Sequence, residues 1–278
     1  KIDRIGGESH NKNKMKKAYA IINLIVTIAI VYWNSVVGAN GYNGVKMAEL
    51  SDKYYSLFTP AGYAFSIWGV IFIGLLIHAY YQIKMAFFKK EYSGFLDQIG
   101  PWLIIANVLN GIWIWAWLTE RTGLSVLIML GLLISLIILV IRLNMERWDA
   151  PFVVIRNIWW PIVIYFGWIC VATIANISAY LVKIEWQSGL EDSTWSIIMI
   201  TVATALNLGM LYFRSMREFV MVGIWAIAAI AYRQWDVYPN IQWTAVICCM
   251  ILGLASCYHA YLNWGTNPVY KMLNKQKA

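Results

Sequence analysis

The chain has 278 residues, of which 60% are hydrophobic and 13% charged, with a formal net charge of +8. A soluble domain carries about 25% charged residues, so this composition excludes an ordinary water-soluble globule. Short alternating segments, the mark of a membrane β-barrel, are not its pattern either, and the basic surplus sorts by loop rather than forming a nucleic-acid-binding patch.

Residues 1–14 form a polar tail. The chain does not begin with Met, and "MKKAYAII" from Met15 reads like a natural start, so the tail is read as an upstream extension. Runs without Asp, Glu, Lys or Arg then follow at Ala18–Val45, Tyr54–Ile83, Gln98–Thr119, Thr122–Ile141, Asn157–Val182, Ser193–Phe213, Phe219–Tyr232 and Val237–Tyr270. A spanning helix needs about 20 mostly apolar residues, and seven of the eight runs reach that length. Phe219–Tyr232 is shorter. It spans if Arg217, Glu218 and Arg233 sit at the interfaces and snorkel, and is re-entrant otherwise; spanning is the favoured reading. The first run is longer than the h-region of a signal peptide, about 7–15 residues, and reads as an uncleaved span. The expected fold is therefore all-α: a polytopic helical membrane protein of about eight spans.

With the N-terminus inside, 17 of the 22 Lys and Arg fall on the inner side and 5 on the outer, whereas the acids divide 7 and 7. That asymmetry is what the positive-inside rule expects and makes both termini cytoplasmic. The longest outer loop, residues 39–59, contains "MAELSDKYYSL", a candidate surface helix, and leads into "SLFTPAGYAFSIWGV", where turn formers and aromatics crowd the start of the second span.

No charged residue lies deep in a run. Proton pumps, ion-coupled carriers and voltage sensors usually need one, and a retinal Schiff base needs a mid-membrane lysine. His78 and His259 lie near inner helix ends, where a haem-ligating pair is conceivable, but interfacial packing is the expected role. Cys170, Cys248, Cys249 and Cys257 have no metal-site spacing and read as small apolar residues. No catalytic or metal-ligating residue is assigned.

Sixteen tryptophans demand an account. Thirteen map to the interfacial belts where Trp and Tyr collect, and Trp68, Trp168 and Trp225 lie deeper. Asn107, Asn110, Asn176 and Asn207 are intramembrane amides whose ordinary use is interhelical hydrogen bonding. Asn110, Trp113 and Trp117 recur at i, i+3, i+7, and Trp168, Ala172 and Asn176 at i, i+4, i+8, so each set shares one helix face. The small Ala172 leaves room for something flat, unless the two faces simply pack together.

These residues resemble a known family, the tryptophan-rich sensory proteins related to the mitochondrial translocator protein. "TPAGYAFSIWGVIF" is similar to that family's P-P-x-W-x-F-x-x-x-W, with Pro60, Gly62, Tyr63, Phe65 and Trp68 in corresponding places. Tyr63 replaces a tryptophan, and Phe65 to Trp68 is one residue short. "LNGIW" (Leu109, Asn110, Trp113) resembles L-N-x-x-W. "YFGWICVATIAN" resembles P-Y-x-x-W-x-x-F-A-x-x-x-N through Tyr165, Trp168, Ala172 and Asn176; the family's proline falls at Ile164, where this chain has Pro161 nearby instead. The likeness covers residues 15–182, a five-helix bundle, and leaves 183–278 as a three-helix extension that would cover a surface smaller members use to dimerise.

The resemblance implies a binding or sensing protein in a bacterial inner membrane, for a flat hydrophobic ligand such as a tetrapyrrole. Its binding residues would be Trp68, Asn110, Trp113, Trp117, Tyr165, Trp168, Ala172 and Asn176, with Tyr54, Tyr55, Phe58, Pro60, Tyr63 and Phe65 as lid and rim. Pro60 would start the second span and Gly62 allow close approach. No cofactor is required; porphyrin or haem would be ligand. The expected partners are membrane lipid, that small ligand and a homo-oligomer or larger membrane complex, not nucleic acid. Two other readings stand beside this one: a structural or assembly subunit, and an enzyme cleaving porphyrin under light.

Overall fold

The computed structural model describes residues 2–88, 94–187 and 189–273, with side chains at all of these except 2–12 and 269. Lys1, Lys89, Lys90, Lys275 and Lys277 of the basic-residue count lie outside the described residues, as do the side chains of Arg4 and Lys12.

Among the described residues, eight long helices form the body: α1 (Ile2–Asn40), α3 (Ile67–Phe87), α5 (Trp102–Leu118), α6 (Thr122–Arg142), α8 (Trp160–Lys183), α9 (Asp192–Arg214), α10 (Arg217–Arg233) and α11 (Pro239–Leu262). Short helices α2 (Met47–Lys53), α4 (Gly94–Ile99), α7 (Phe152–Val154) and α12 (Pro268–Leu273) lie in the connections. Six segments, Asn13–Asn40, Gly62–Phe87, Thr122–Arg142, Phe152–Lys183, Asp192–Arg214 and Pro239–Leu262, are long and apolar enough to cross a membrane; Trp102–Leu118 is apolar but shorter. The protein is an all-α polytopic integral membrane protein.

Helix α10 is one unbroken helix and not a re-entrant hairpin. At one end Arg233 bonds the Asp52 carboxylate at 2.5 Å and the Pro60 carbonyl at 3.3 Å. At the other, Arg217 shares a cavity with Trp148 and Lys271. The ends of the bundle therefore separate cleanly. Lys53, Glu120 and Lys183 meet at the first. Lys16 with Asp97, and Lys271 with Asp149, pair at the second.

Helices α1, α3, α5, α6 and α8 pack into one bundle, and its core takes in Phe219, Val222 and Ala226 from α10. The opposite side of α10 joins α9 and α11 in a second core with Leu57 and Phe58. Small residues permit these approaches, as they do where lipid leaves helices no hydrophobic drive to associate. A Cβ on Gly167 would meet Val222 at 3.1 Å, and one on Gly223 would strike the Asn207 amide at 2.3 Å.

Pro161 explains a local widening before α8. It offers no N–H to the Asn157 carbonyl four residues back, and Ile155–Trp159 takes a π-helical turn. The His78 Nδ1–H donates to that carbonyl at 2.8 Å, while Gln82 Nε2 donates to His78 Nε2 at 2.7 Å. His78 is thus an interhelical tie with both ring nitrogens engaged.

Candidate functional site

Three helices and a cap enclose an aromatic cavity. Helix α3 supplies Trp68, α5 supplies Trp113 and Trp117, and α8 supplies Trp168, Ala172 and Asn176. The approach to α3 adds Thr59, Pro60 and Phe65, and α2 covers the opening with Met47 and Ser51. Trp68 and Trp168 meet edge-on, centroids 6.4 Å apart, and Phe65 meets Trp168 in the same way at 6.0 Å. Trp113 and Trp117, one turn apart, stack at 6.3 Å. The free space is about 40 Å³, room for a few waters at most.

The polar atoms of this cavity divide in two. Trp113 Nε1–H donates to Asn176 Oδ1 at 2.8 Å, and Asn176 Nδ2 donates to Ser125 Oγ at 2.9 Å, tying α5, α8 and α6 together. By contrast the indole N–H groups of Trp68 and Trp168 are buried without a hydrogen-bond partner. The Tyr165 hydroxyl and the Asn110 side chain are neighbours behind the cavity wall; Asn110 Oδ1 accepts from Asn34 at 3.1 Å. A buried unmade hydrogen bond costs about 1–3 kcal/mol. Trp68 and Trp168 both line the one cavity.

Of the fourteen residues the sequence nominated, Pro60, Phe65, Trp68, Trp113, Trp117, Trp168, Ala172 and Asn176 line the cavity. Asn110 and Tyr165 stand behind it. Tyr54, Tyr55, Phe58 and Tyr63 do not line it, for four physical reasons. Tyr54 donates to Glu120 at 2.5 Å. Tyr55 accepts from Gln234 at 2.6 Å and lies under the Arg233 guanidinium. Phe58 is buried in the second core. Tyr63 packs edge-on against Trp225 and Tyr232 of α10.

Gly62 also differs from expectation. It sits in open space in a 3-10 turn, Gly62–Ser66, and α3 begins only at Ile67, so neither close approach nor a helix start at Pro60 explains these residues. The Pro60–Ala61 backbone is fixed from α10 instead, through Arg233 and through Ala61 N–H donating to Ala229 O at 3.1 Å. Met47, Ser51, Thr59, Val171, Ala175 and Ala179 were not foreseen. Met47 and Ser51 lie four apart on the candidate surface helix, and Ala172, Ala175 and Ala179 follow i, i+3, i+7 on α8, so the face was readable.

A latch holds the cap. Lys53 Nζ reaches both Glu120 carboxylate oxygens, at 2.8 and 2.7 Å, Tyr54 adds a third bond, and Lys183 binds the Glu120 carbonyl. Glu120 sits at φ 58 in the tight turn between α5 and α6. The hydrogen bonds from Lys53 and Tyr54 hold its carboxyl below its usual range.

Among the described residues, no three His, Cys, Asp or Glu side chains lie close enough together to hold a metal ion. The chain matches the family model of TSPO-like proteins over residues 20–258, a span that runs past the last of the motifs into α11. No curated protein and no solved structure matches it.

Proposed function

The chain belongs to the TSPO-like protein family, and from that membership and the cavity's geometry we propose that it binds a flat, rigid, hydrophobic ligand with acceptor groups, of the tetrapyrrole class. The observation carrying this reading is the pair of unpartnered indole donors, Trp68 and Trp168, on the walls of one aromatic cavity. A mostly apolar pocket with a few placed polar groups is the usual form of a small-molecule site. Trp113 and Trp117 offer a stacked face for a ring system, and Ala172 keeps the opposite wall thin.

A tetrapyrrole is far larger than about 40 Å³, so binding requires the α2 cap and the indoles to move. The latch at Glu120 is the element to release. Both termini are read as cytoplasmic in a bacterial inner membrane, since Lys16, Arg142 and Lys271 cluster at the end opposite the cap.

The test is a titration of the purified chain with protoporphyrin IX, following Trp quenching and the Soret shift, with Trp68→Phe and Trp168→Phe beside the parent. Saturable binding weakened by both changes supports the reading. The small volume favours a second reading, in which the aromatics are packing for a structural subunit; a folded chain without saturable binding selects it.

A further inference from the structure

A second hollow lies on the far side of α8 and is chemically unlike the first. A groove of about 660 Å³ runs along α10 past Glu218, Met221, Val222 and Trp225, with α3, α8 and α11 forming its sides. It is open: Val70 and Met221 are 56% and 64% exposed on surfaces that face lipid. From Arg217 to Trp225 it extends about 12 Å, at about 1.5 Å per residue, close to the depth of one bilayer leaflet, half of about 30 Å.

The groove ends at Arg217, and Arg217 also lines a polar cavity of about 240 Å³ with Glu146, Arg147, His259 and Lys271. Two of these side chains hold unused donors. Arg217 Nη1 is buried without a partner. Asn263 Nδ2 can only donate to His259 Nε2, at 3.4 Å, which leaves the imidazole proton on Nδ1, and that nitrogen too is buried and unpartnered. Of the nearby acids, Asp149 pairs with Lys271, and Glu218 lines the groove and accepts from Trp160 Nε1 at 2.8 Å. Burial and the neighbouring Glu218 push the Glu146 carboxyl up to about 8, so at neutral pH it is mostly protonated and a poor counter-ion.

We propose that groove and cavity form one site for an anionic phospholipid, its phosphate on Arg217 and His259 and an acyl chain along α10. The Arg217 guanidinium and the His259 Nδ1–H, at helix ends level with the headgroups, complement the phosphate. The apolar run is of leaflet depth and open sideways to the bilayer, as a lipid tail requires. Trp160 and Trp225 have their N–H groups tied, to Glu218 and to the Ala64 carbonyl, so they present only apolar surface to that tail.

The experiment is a native mass-spectrometric titration of the full chain in non-ionic detergent. The probes are dioleoyl phosphatidylglycerol, dioleoyl phosphatidylcholine, oleate and inorganic phosphate. One phosphatidylglycerol per chain should bind at least about tenfold more tightly than the others, the worth of one charge-assisted hydrogen bond. Arg217→Gln and, independently, Ala260→Trp, which fills the groove, should each remove that preference. Equal binding of phosphatidylcholine or oleate overturns the phospholipid assignment, and inorganic phosphate binding as well as the lipid overturns the role of the groove. Should Arg217→Gln fail to fold, His259→Phe and Ala260→Trp decide: phosphatidylglycerol bound by both at parental affinity ends the proposal.

Discussion

The two hollows flanking α8 are built from the same residue type and differ in what its indole N–H is doing. In the groove, Trp160 and Trp225 have donated their protons to Glu218 and to Ala64 O, and the rings serve as plain walls. In the aromatic cavity, Trp113 is tied in the same way to Asn176, but Trp68 and Trp168 are not tied to anything. The groove is open and about 660 Å³; the cavity is more enclosed and about 40 Å³. Tryptophan count is therefore a poor guide to a site in this chain, and unspent hydrogen-bonding capacity is a better one. The comparison also separates the charges: the groove's unused donors include the Arg217 guanidinium and sit at helix ends, and the cavity's are neutral indoles.

The sharpest way to break this contrast is Ala172→Leu. Three further carbons in a 40 Å³ space should cost about 2 kcal/mol or more of ligand binding, at least about thirtyfold, through overpacking. Porphyrin affinity with an intact circular dichroism spectrum measures it, and phosphatidylglycerol binding at the groove should not change. Next is Asn176→Ala, which strands Trp113 Nε1–H and leaves Ser125 Oγ only its bond to the Thr122 carbonyl. It should lower stability by about 1–2 kcal/mol, read as a lower Tm in detergent. Parental Tm would mean that this tie between α5, α6 and α8 does not hold the wall.

Trp68→Phe and Trp168→Phe make a smaller and more telling pair. Each deletes an unpartnered donor together with the fused pyrrole ring, so relief of the donor is set against a small void and ligand-free stability should change by less than about 1 kcal/mol. Trp225→Phe leaves the same void and also gives up the bond to the Ala64 carbonyl, which keeps its backbone donor Ile67 N–H, and should lose about 1 kcal/mol more. Thermal melts of the three variants test the distinction; equal losses in all would erase it.

The smallest effect is expected at the latch. Glu120→Gln gives up an exposed, solvent-screened ion pair. It should leave Tm almost unchanged and speed porphyrin association about two- to fivefold, by stopped-flow quenching. Acid should do the same to the parent. The Glu120 carboxyl is held below its free value of 4.5, so its contribution is complete above that value and disappears as pH falls through the lower folded one. Association slowing on acidification would contradict the latch.

Much of the first hollow was legible because helix periodicity is local. Asn110, Trp113 and Trp117, or Trp168, Ala172 and Asn176, share a face on any straight helix, and small residues among large ones mark where space can remain. Charge-free runs gave the helices for a similar reason. What stayed hidden depends on partners remote in sequence. Tyr55, Phe58 and Tyr63 look like lid residues until α9–α11 are seen beside them, and nothing near Tyr63 announces Trp225 or Tyr232. Gly62 looked like a contact glycine for the same reason. The lone acceptor that Pro161 leaves at Asn157 is local, but its filling by His78 is not. The groove was invisible in the sequence, since Arg217, His259 and Lys271 become neighbours only once α10, α11 and α12 fold together.

The most direct test of the central claim is the indole ¹⁵N–¹H spectrum of Trp-labelled protein in detergent, with and without saturating protoporphyrin IX. The Trp68, Trp168 and Trp225 signals are assigned by their Phe variants. The account predicts large downfield shifts for Trp68 and Trp168 as their protons find an acceptor, with Trp225 unmoved. Saturable binding that leaves Trp68 and Trp168 in place while other indoles shift would contradict it, and would put the ligand outside the aromatic cavity.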